Sequence, residues 1–435
     1  MRDSKRAATT PPSKFHGIFM NLGIVCQRAS TGGWRYTLML AGAIRRLDTR
    51  TSVTIFHGNE LPPSGKEEIR AAGVMAQFLP QLSYPRQRSQ KRRIGIRAID
   101  RGMNAIRGAY KDGLHRKRMA QFVQCLNRHD LVHFAWPYGI EPPSVAVPMS
   151  FIPHDFIYAH EFGTPFYTHE QWLATRCQQQ RWLDAAASVV SSDFIAAELR
   201  RTFPDHVGPV EVIYLSTLNP PVARASNKPN DTADLRRLCT PDRYILCPNN
   251  VMPHKNLSTL FAALWHVRQA GEAIKLVAIG HGTDGIRAKI NCPFYGDHVG
   301  PMEDYDVLGM GLVNEADLST LIRNAALVVN PSVCEAGSGS GVDAWSNGCP
   351  VALADIPAFR DQVRFLGTQA EFFDPRDPRD TARAILDVIR QPMGSKLAAE
   401  QSKAAMEKYT WAHVAGHYLA FFERIIREKR PSRTL

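Results

Sequence analysis

Two carboxylates flank a glycine-rich loop in the second half of the chain. The apolar run 327–330 predicts a buried strand, and Glu335 and Asp343 follow it with seven residues between them. The loop between the two acids carries Gly337, Gly339 and Gly341. Glycine lets the backbone approach a ligand closely, and a helix that begins here offers unpaired N–H groups to an anion. The pattern predicts a ligand site that both acids face; a tight turn with Asp343 as a favourable first-turn charge is the alternative.

Three further segments carry candidate functional residues directly after predicted strands. Lys255 stands on a loop that leads into a helix, where an ammonium group can neutralise the charge that builds on a phosphate leaving group. Gly32-Gly33 lies between the first predicted strand and a helix, and His154-Asp155 ends another strand. Taken singly these signals are weak, because solvated lysines, structural histidines and Gly-Gly turns are common. Their interpretation therefore depends on where the fold places them.

Apolar runs alternate with helical periods through both halves of the chain, which predicts parallel strands connected by helices. In the first half, the predicted strands are 18–25, 52–56, 131–134, 147–152, 188–190 and 210–214, with helices at 34–47, 169–187 and 192–202. In the second half, the predicted strands are 244–248, 274–280, 326–331, 350–354 and 371–375, with helices at 256–270, 315–324, from about 341, 378–390, 395–408 and 411–428. Ligands bind at the carboxyl ends of such strands, so the expected site is a cleft between the halves.

The length and one polar segment set the domain boundaries. A single core rarely exceeds ~250–300 residues, so a chain of 435 residues predicts at least two domains. A stretch rich in Pro, Asn, Ser and Thr begins near residue 216, and the polar N-terminus lacks periodicity. The predicted boundaries are a disordered tail 1–16, a first Rossmann-like domain 17–220, a linker 221–242 and a second Rossmann-like domain 243–410. The fold class is therefore α/β.

Composition and cysteine usage exclude several classes of protein. Hydrophobic residues make up 44% and charged residues 22%, which excludes a disordered or fibrous chain. No run approaches the ~18 apolar residues of a spanning helix, and the N-terminus lacks the apolar region of a secretory signal. The eight cysteines are scattered, without CxxC pairs or histidines at ligand spacing. Neither a disulfide framework nor a zinc site is expected, and a reducing cytosol is indicated.

The positive charge is concentrated in one basic segment, residues 84–118. The formal net charge is +12; this segment holds twelve Lys or Arg against two acids, so the rest of the chain sums to only +2. Apolar residues within 94–114 recur at steps of three or four, which predicts a basic amphipathic helix weakened by four glycines. Three interpretations stay open: a solvated helix of the first domain, a helix docked on an anionic membrane surface, and a nucleic-acid site. The absence of a nucleic-acid motif disfavours the last.

The segment 331–357 resembles a known family. Its pattern PS-x2-E-x7-D-A-x3-G-x-PV-x4-IP is similar to the E-x7-E signature region of retaining, family-4-type glycosyltransferases of glycosyltransferase group 1. The resemblance implies the GT-B fold, with two Rossmann-like β/α/β domains facing a central cleft. It implies that Glu335 lies beside the donor sugar, that Asp343 binds the ribose of the nucleotide and that the loop backbone holds sugar hydroxyls. The donor-binding loop residues that it implies are Gly337, Ser338, Gly339 and Ser340.

A second match lies around Lys255. Residues 247–264 resemble the strand, loop and helix that carry the family's phosphate-binding lysine, which implies that Lys255 binds the donor diphosphate. Asn250, also assigned to the donor site, takes the place of an arginine that many members carry. The sequence departs from the family further in having Asp rather than Glu as the second acid, and Ala-Gly-Ser at 336–338 rather than Gly-Phe-Gly. Sugar specificity therefore does not transfer.

The first half of the chain matches the family more loosely. Gly32-Gly33 resembles the GG turn whose N–H groups approach the donor diphosphate, and His154 stands at the family's HD-type motif, near the acceptor and the transferred sugar. The implied catalytic residues are His154, Glu335 and Lys255. The last helix, 411–428, is expected to pack back on the first domain, as it does in the family.

The resemblance implies a retaining glycosyltransferase that moves a hexosyl unit from a UDP- or GDP-sugar, held by the second domain, to a glycan or lipid-linked glycan held by the first. Its setting would be cell-surface polysaccharide biosynthesis, in the cytoplasm and peripheral to the inner face of the membrane, without a nucleic-acid partner. No metal or other cofactor is expected, since the DxD triplet at 304–306 is of a kind that chance often produces. A GT-B epimerase or hydrolase and a non-catalytic binder of nucleotide sugars or polyanions are the alternatives.

Overall fold

The computed structural model describes residues 17–27, 32–58, 61, 63–79, 117–137, 139–159, 168–217, 244–286 and 306–429. The predicted tail 1–16, the linker 221–242 and the basic amphipathic helix at 94–114 lie outside these residues and stay predictions.

Seven parallel strands form the first sheet, in the order β3-β2-β1-β4-β5-β6-β7. They are β1 (Asn21–Cys26), β2 (Ser52–His57), β3 (Met75–Phe78), β4 (Leu131–Trp136), β5 (Met149–Phe151), β6 (Ala187–Val190) and β7 (Val210–Val212). The chain moves outward from β1 to β3 on one side and from β4 to β7 on the other, so the direction of winding reverses between β1 and β4. The crevice beside that reversal is where ligands bind in open parallel sheets.

Six parallel strands form the second sheet, in the order β10-β9-β8-β11-β12-β13. They are β8 (Tyr244–Cys247), β9 (Lys275–Ala278), β10 (Val307–Gly309), β11 (Leu327–Asn330), β12 (Val351–Ala354) and β13 (Glu371–Phe373). The winding reverses between β8 and β11. Every residue of these two central strands is buried, as expected where helices cover both faces of a parallel sheet.

Helices alternate with the strands in both halves. Those of the first half are α1 (Gly32–Leu47), α2 (Pro63–Ala72), α3 (His169–Ala185) and α4 (Asp193–Thr202), and residues 117–126 are also helical. Those of the second half are α5 (Leu257–Gln269), α6 (Glu315–Asn324), α7 (Gly339–Ser346), α8 (Pro357–Leu366), α9 (Pro378–Arg390), α10 (Pro392–Met406) and α11 (Trp411–Lys429). The predicted α/β architecture of two facing parallel sheets is confirmed.

The last helix, α11, packs against the first helix of the chain. The hydroxyl groups of Tyr36 on α1 and Tyr418 on α11 form a hydrogen bond, and the two rings meet edge to face at 6.5 Å. His133 of β4 packs against Tyr418 and Phe422 at ring distances of 5.3 and 5.5 Å. Burial lowers the pKa of His133 to about 3, so its ring is neutral within this aromatic cluster.

Several short elements depart from the predicted pattern. The sequence does not predict α2, β3 or β10, nor the helices α8 and 117–126, whereas most of the other predicted bounds agree to within two or three residues. The four residues of β3 are all exposed, so the strand lacks the alternation that marks a half-buried strand. β10 has three residues, one of them glycine. α7 begins at Gly339 rather than near residue 341, because the hydroxyl of Ser338 accepts the N–H of Gly341 and caps the helix.

Candidate active site

Lys255 and Glu335 meet where the winding of the second sheet reverses. Lys255 follows β8 and Glu335 follows β11, the two strands that flank the reversal. Their side chains form an ion pair, and only 17% and 14% of their side-chain surfaces are exposed. Residues 80 positions apart in the sequence are thus joined at the edge of the sheet where ligands bind.

The loop that carries Lys255 is tied to neighbouring strands. Lys255 ends a short 3-10 helix, Pro253–Lys255, and Asn256 follows in the left-handed region with a φ of 53°. The side-chain amide of Asn256 donates to the carbonyl oxygens of Pro331 at 3.0 Å and Pro375 at 2.7 Å. These bonds hold the lysine loop against the loops after β11 and β13, so the position of the ammonium group is set by backbone contacts.

Asn250, which stands where an arginine is expected by resemblance, makes a local contact in this structure. Its side-chain oxygen accepts the N–H of Met252 at 3.1 Å and so closes the turn after β8. The backbone of Asn250 also lies close to Gly280, since a Cβ added to that glycine would come within 2.9 Å of the Asn250 nitrogen. Asn250 therefore shapes the loop, and Lys255 carries its positive charge.

Asn330 organises the glycine-rich loop after β11. Its amide nitrogen donates to the hydroxyl oxygens of Ser338 at 3.0 Å and Ser340 at 3.1 Å, and its oxygen accepts from Asn249 at 2.9 Å. The backbone N–H of Ser338 donates to the side-chain oxygen of Gln362 at 2.7 Å. The predicted loop residues Ser338 and Ser340 are therefore held by the side-chain amides of Asn330 and Gln362, and Asn249 in turn holds Asn330. The sequence interpretation assigned no role to these three amides.

The glycines of this loop serve different purposes. A Cβ added to Gly339 would meet no atom within 4 Å, so the backbone there faces open space and is open to a close approach. A Cβ on Gly341 would lie 3.0 Å from the hydroxyl oxygen of Ser338, which makes that glycine a matter of packing. A Cβ on Gly337 would lie 3.5 Å from the side-chain amide of Gln362, which is an ordinary contact distance. The N-terminus of α7 thus opens on the cleft at Gly339.

Asp343 lies on α7 at the seam between the two halves of the chain. Asp343 is 5% exposed, and its carboxylate accepts a hydrogen bond of 3.4 Å from the hydroxyl of Thr217. Thr217 is itself held by α11, because its carbonyl oxygen accepts from the indole nitrogen of Trp411 at 2.5 Å. The second acid of the motif therefore faces a strap of chain from the first half.

The first sheet contributes His154 and Asp155, which follow β5. His154 has a φ of 53°, a left-handed conformation that is uncommon outside glycine, and its Nε2–H donates to the carbonyl oxygen of Ala135 at 2.7 Å. Its ring packs on Trp136 with 4.4 Å between centroids. Burial lowers the pKa of His154 to about 4, so the ring is neutral near pH 7 and holds its proton on Nε2.

Asp155 faces the ion pair from across the cleft. The pKa of its carboxyl is raised to about 6. Burial is the main cause and the negative charge of Glu335 adds to it, whereas the backbone N–H of Ile157 and the ammonium group of Lys255 act in the opposite direction. A carboxyl of the first sheet is therefore within electrostatic reach of the Lys255–Glu335 pair of the second sheet. The sequence places Asp155 beside His154, and the structure adds that its charge is coupled to the predicted catalytic pair.

Gly32 and Gly33 begin α1, which follows β1 at the reversal point of the first sheet. Two residues later, Arg35 forms an ion pair of 2.7 Å with Glu315 at the start of α6 in the second half. The N-terminus of α1 therefore lies at the cleft. The structure thus brings Lys255, Glu335 and Asp155 together and places both glycine-led helix starts, α1 and α7, along the same cleft.

Within the ranges described above, no three His, Cys, Asp or Glu residues are grouped closely enough to hold a metal ion. In the same part of the chain, no helix combines the length and the apolar composition that a membrane crossing requires.

Comparison with known proteins agrees with the motifs. Residues 242–391 match the family model of glycosyl transferases group 1. HepE from Anabaena, solved in complex with UDP and glucose, is 14% identical with a TM-score of 0.63, over 92% of this chain and 99% of that chain. Sucrose-phosphate synthase from Thermosynechococcus elongatus is 16% identical with a TM-score of 0.61, over 94% and 99%. WaaG, a glycosyltransferase involved in lipopolysaccharide biosynthesis, is 12% identical with a TM-score of 0.58, over 91% and 98%.

No curated protein sequence matches this chain significantly. The two facing parallel sheets and the matched segment together define a glycosyltransferase with the GT-B fold. Within that class of enzymes, residues 242–391 are the part of the chain that matches the model of glycosyl transferases group 1.

Proposed function

We propose that the protein is a retaining glycosyltransferase that moves a hexosyl unit from a UDP- or GDP-sugar to a hydroxyl group of a glycan or lipid-linked glycan. The observation that carries the proposal is the Lys255–Glu335 ion pair at the reversal point of the second sheet, faced by Asp155 of the first. HepE was solved with UDP-glucose, so UDP-glucose is the first donor to test. The role of WaaG in lipopolysaccharide biosynthesis supports cell-surface polysaccharide biosynthesis as the setting.

The proposed roles are those that the family resemblance implies, and the geometry of the cleft supports them. Lys255 neutralises the charge that develops on the departing diphosphate, together with backbone N–H groups at the starts of α1 and α7. Glu335, paired with that lysine, accepts hydrogen bonds from hydroxyl groups of the donor sugar. Asp343, which lies between the two halves of the chain, accepts hydrogen bonds from the ribose hydroxyl groups of the nucleotide.

His154 is proposed to contact the transferred sugar or the acceptor hydroxyl. Because its pKa lies well below neutral and its Nε2–H is committed to the Ala135 carbonyl, it acts as a fixed polar contact and not as a cation. The acceptor proton passes to the leaving phosphate oxygen as the new glycosidic bond forms on the face from which the diphosphate departs. No protein base is required for this step, which is consistent with a neutral, hydrogen-bonded histidine.

Substitution of the ion pair tests the proposal. Lys255→Ala and Glu335→Ala should each reduce transfer from a radiolabelled nucleotide sugar by at least ~100-fold, the size of effect expected when a transition-state charge contact is removed. Lys408→Ala and Glu407→Ala are matched controls, because both side chains are exposed in the same half of the chain. Circular dichroism must show that all four variants fold. Transfer close to that of the wild type by either site variant would refute the assignment.

Product analysis separates the alternatives. Retaining transfer predicts a new glycosidic bond with the anomeric configuration of the donor, read by NMR of the product. An epimerase would return a changed sugar without an acceptor, and a hydrolase would release free sugar. A non-catalytic binder would show nucleotide-sugar affinity without turnover, or salt-sensitive affinity for polyanions.

The absence of a metal requirement and the membrane association are also proposals. Lys255 supplies at the diphosphate the positive charge that a divalent ion supplies elsewhere, so transfer should survive EDTA. We place the protein in the cytoplasm, at the inner face of the membrane, through the basic segment 84–118. Flotation of the full chain with liposomes should require anionic lipid; flotation that is equal with neutral lipid, or absent with both, would refute this docking.

A further inference from the structure

A cavity adjoins the proposed donor site. Its volume is about 510 Å³, within the range typical of small-molecule sites. Cys334 and Glu335 in the loop after β11 line it, together with residues that end or follow β12 and β13. Phe194, at the start of α4 in the first half, also lines it. The cavity therefore lies between the two halves of the chain.

This cavity is displaced from the crevice that the donor would occupy. The donor crevice follows the reversal between β8 and β11, where Lys255 and Asn330 lie, whereas the cavity lies over the carboxyl ends of β12 and β13. Glu335 is the point at which the two spaces meet, since it pairs with Lys255 on one side and lines the cavity on the other. A molecule in the cavity would thus lie beside the carboxylate that contacts the donor sugar.

The lining suits a sugar ring. Phe194, Phe372 and Pro375 provide apolar surface, and the guanidinium of Arg360 stacks on Phe372 at 3.9 Å, which fixes that ring. The carboxylates of Asp355 and Asp374 stand among these apolar groups. A pyranose has an apolar face that packs on such rings and hydroxyl groups that donate to carboxylate oxygens. Apolar walls with a few polar groups are typical of ligand sites.

One carboxylate of the lining, that of Asp374, disfavours anionic ligands beside it. Four carboxylates and the guanidinium of Arg376 line the cavity, and three of the carboxylates form ion pairs: Glu335 with Lys255, Asp355 with Arg360 and Asp380 with Arg383. Asp355 and Asp380 are already paired with arginines, at 2.7 and 2.6 Å, whereas Asp374 is exposed and accepts the backbone N–H of Arg376 at 2.8 Å. A phosphate or uronate placed beside Asp374 would be repelled, because this carboxylate accepts a backbone N–H where the other three have cationic partners.

We propose that this cavity holds the acceptor sugar, and that it selects an acceptor unit free of phosphate and carboxylate groups. The inference rests on the proposed function, since it assigns the acceptor side of the same reaction. It gives the second half of the chain a share in acceptor recognition. The accepting hydroxyl then approaches the donor sugar past Glu335.

Sugar binding measured without a donor tests the inference. Methyl glucoside and maltose, at millimolar concentrations, are compared with glucose 6-phosphate by saturation-transfer difference NMR on the full-length protein. The uncharged sugars should bind, and the phosphate ester should bind at least about tenfold more weakly. Asp374→Lys should weaken the uncharged sugars about tenfold, the loss of one charge-assisted hydrogen bond, and should improve glucose 6-phosphate. Glu407→Lys introduces the same charge on an exposed site away from the cavity and should change neither.

Two outcomes would overturn the inference: no binding of uncharged sugar by the wild type, or glucose 6-phosphate binding as well as glucosides do. Calorimetry with UDP, run separately on the same proteins, reports the donor site. If the wild type does not bind UDP, the proposed function is contradicted. The NMR measurements with sugars still decide whether the cavity binds an uncharged sugar. Asp374→Lys should leave UDP binding unchanged, because Asp374 lies outside the donor crevice.

Discussion

Asp361 joins the two halves of the chain, and its removal should open the cleft. It lies on α8, is 8% exposed, and its carboxylate accepts from the Tyr214 hydroxyl at 2.7 Å and from the backbone N–H of Phe194 at 3.1 Å. Both donors belong to the first half of the chain. The second is in the first turn of α4, so the carboxylate also stabilises the positive end of that helix.

The expected magnitude follows from these contacts. Hydrogen bonds to a charged group contribute about 1.5–3 kcal/mol each, so Asp361→Ala should cost the contact between the halves about 3–5 kcal/mol. The stacking of Tyr214 on Phe365, at 3.6 Å and 6° between ring planes, remains in the variant and retains part of the contact. A loss of ~3 kcal/mol alone moves an equilibrium between closed and open forms by about 100-fold.

Small-angle scattering and UDP titration measure the effect. Asp361→Ala should have a larger radius of gyration than the wild type and a weaker affinity for UDP. Saturating UDP should restore the radius of gyration of the wild type. Arg364→Ala is the matched control, because Arg364 pairs with the same carboxylate but is 75% exposed, so it should cost less than ~1 kcal/mol. A scattering curve for Asp361→Ala that overlays the wild-type curve, with unchanged UDP affinity, would refute the reasoning.

Two further predictions concern single residues. The carboxyl of Asp155 has a pKa raised to about 6, so the wild type loses stability as the pH rises towards and through 6. Relative to the wild type, Asp155→Asn should gain about 2.4 kcal/mol between pH 4 and pH 7.5 in urea unfolding, and a pH-independent difference would contradict this. Gly280→Ala should destabilise by about 2 kcal/mol in the same assay, because its φ is 137° and the new Cβ would lie 2.8 Å from the Asn249 carbonyl carbon. Gly271→Ala, with a φ of 86° and open space around it, should cost about 1 kcal/mol, and equal losses would count against the steric argument.

The fold could be predicted because its signals are local. Alternating apolar runs and helical periods give two series of parallel strands, and the structure confirms both. The strands that were missed, β3 and β10, are an exposed edge strand of four residues and a strand of three. Edge strands bury little apolar surface, so their sequences carry little periodicity.

The site was predictable only in part, because its supporting contacts join distant parts of the chain. Glu335 and Lys255 stand in segments whose motifs resemble those of a family, and the structure joins them. Asp361 bonds to residues 147 and 167 positions away, and no local pattern marks such a pair. Asn330 ends a strand, which places it at the site, but its bonds to Ser338 and Ser340 depend on how the loop folds back.

The charges around Lys255 constrain how a nucleotide diphosphate could bind there. The lysine is already paired with Glu335, and Asp155 adds a second carboxyl within electrostatic reach. Because one ammonium group faces two carboxylates, Lys255 neutralises only part of the charge of a diphosphate, and Asn250 on the same loop adds no charge. The remaining attraction must therefore come from the backbone, through the N-termini of α1 and α7, both of which begin with glycine. Protonation of Asp155 strengthens that attraction, so donor affinity should rise as the pH falls through 6.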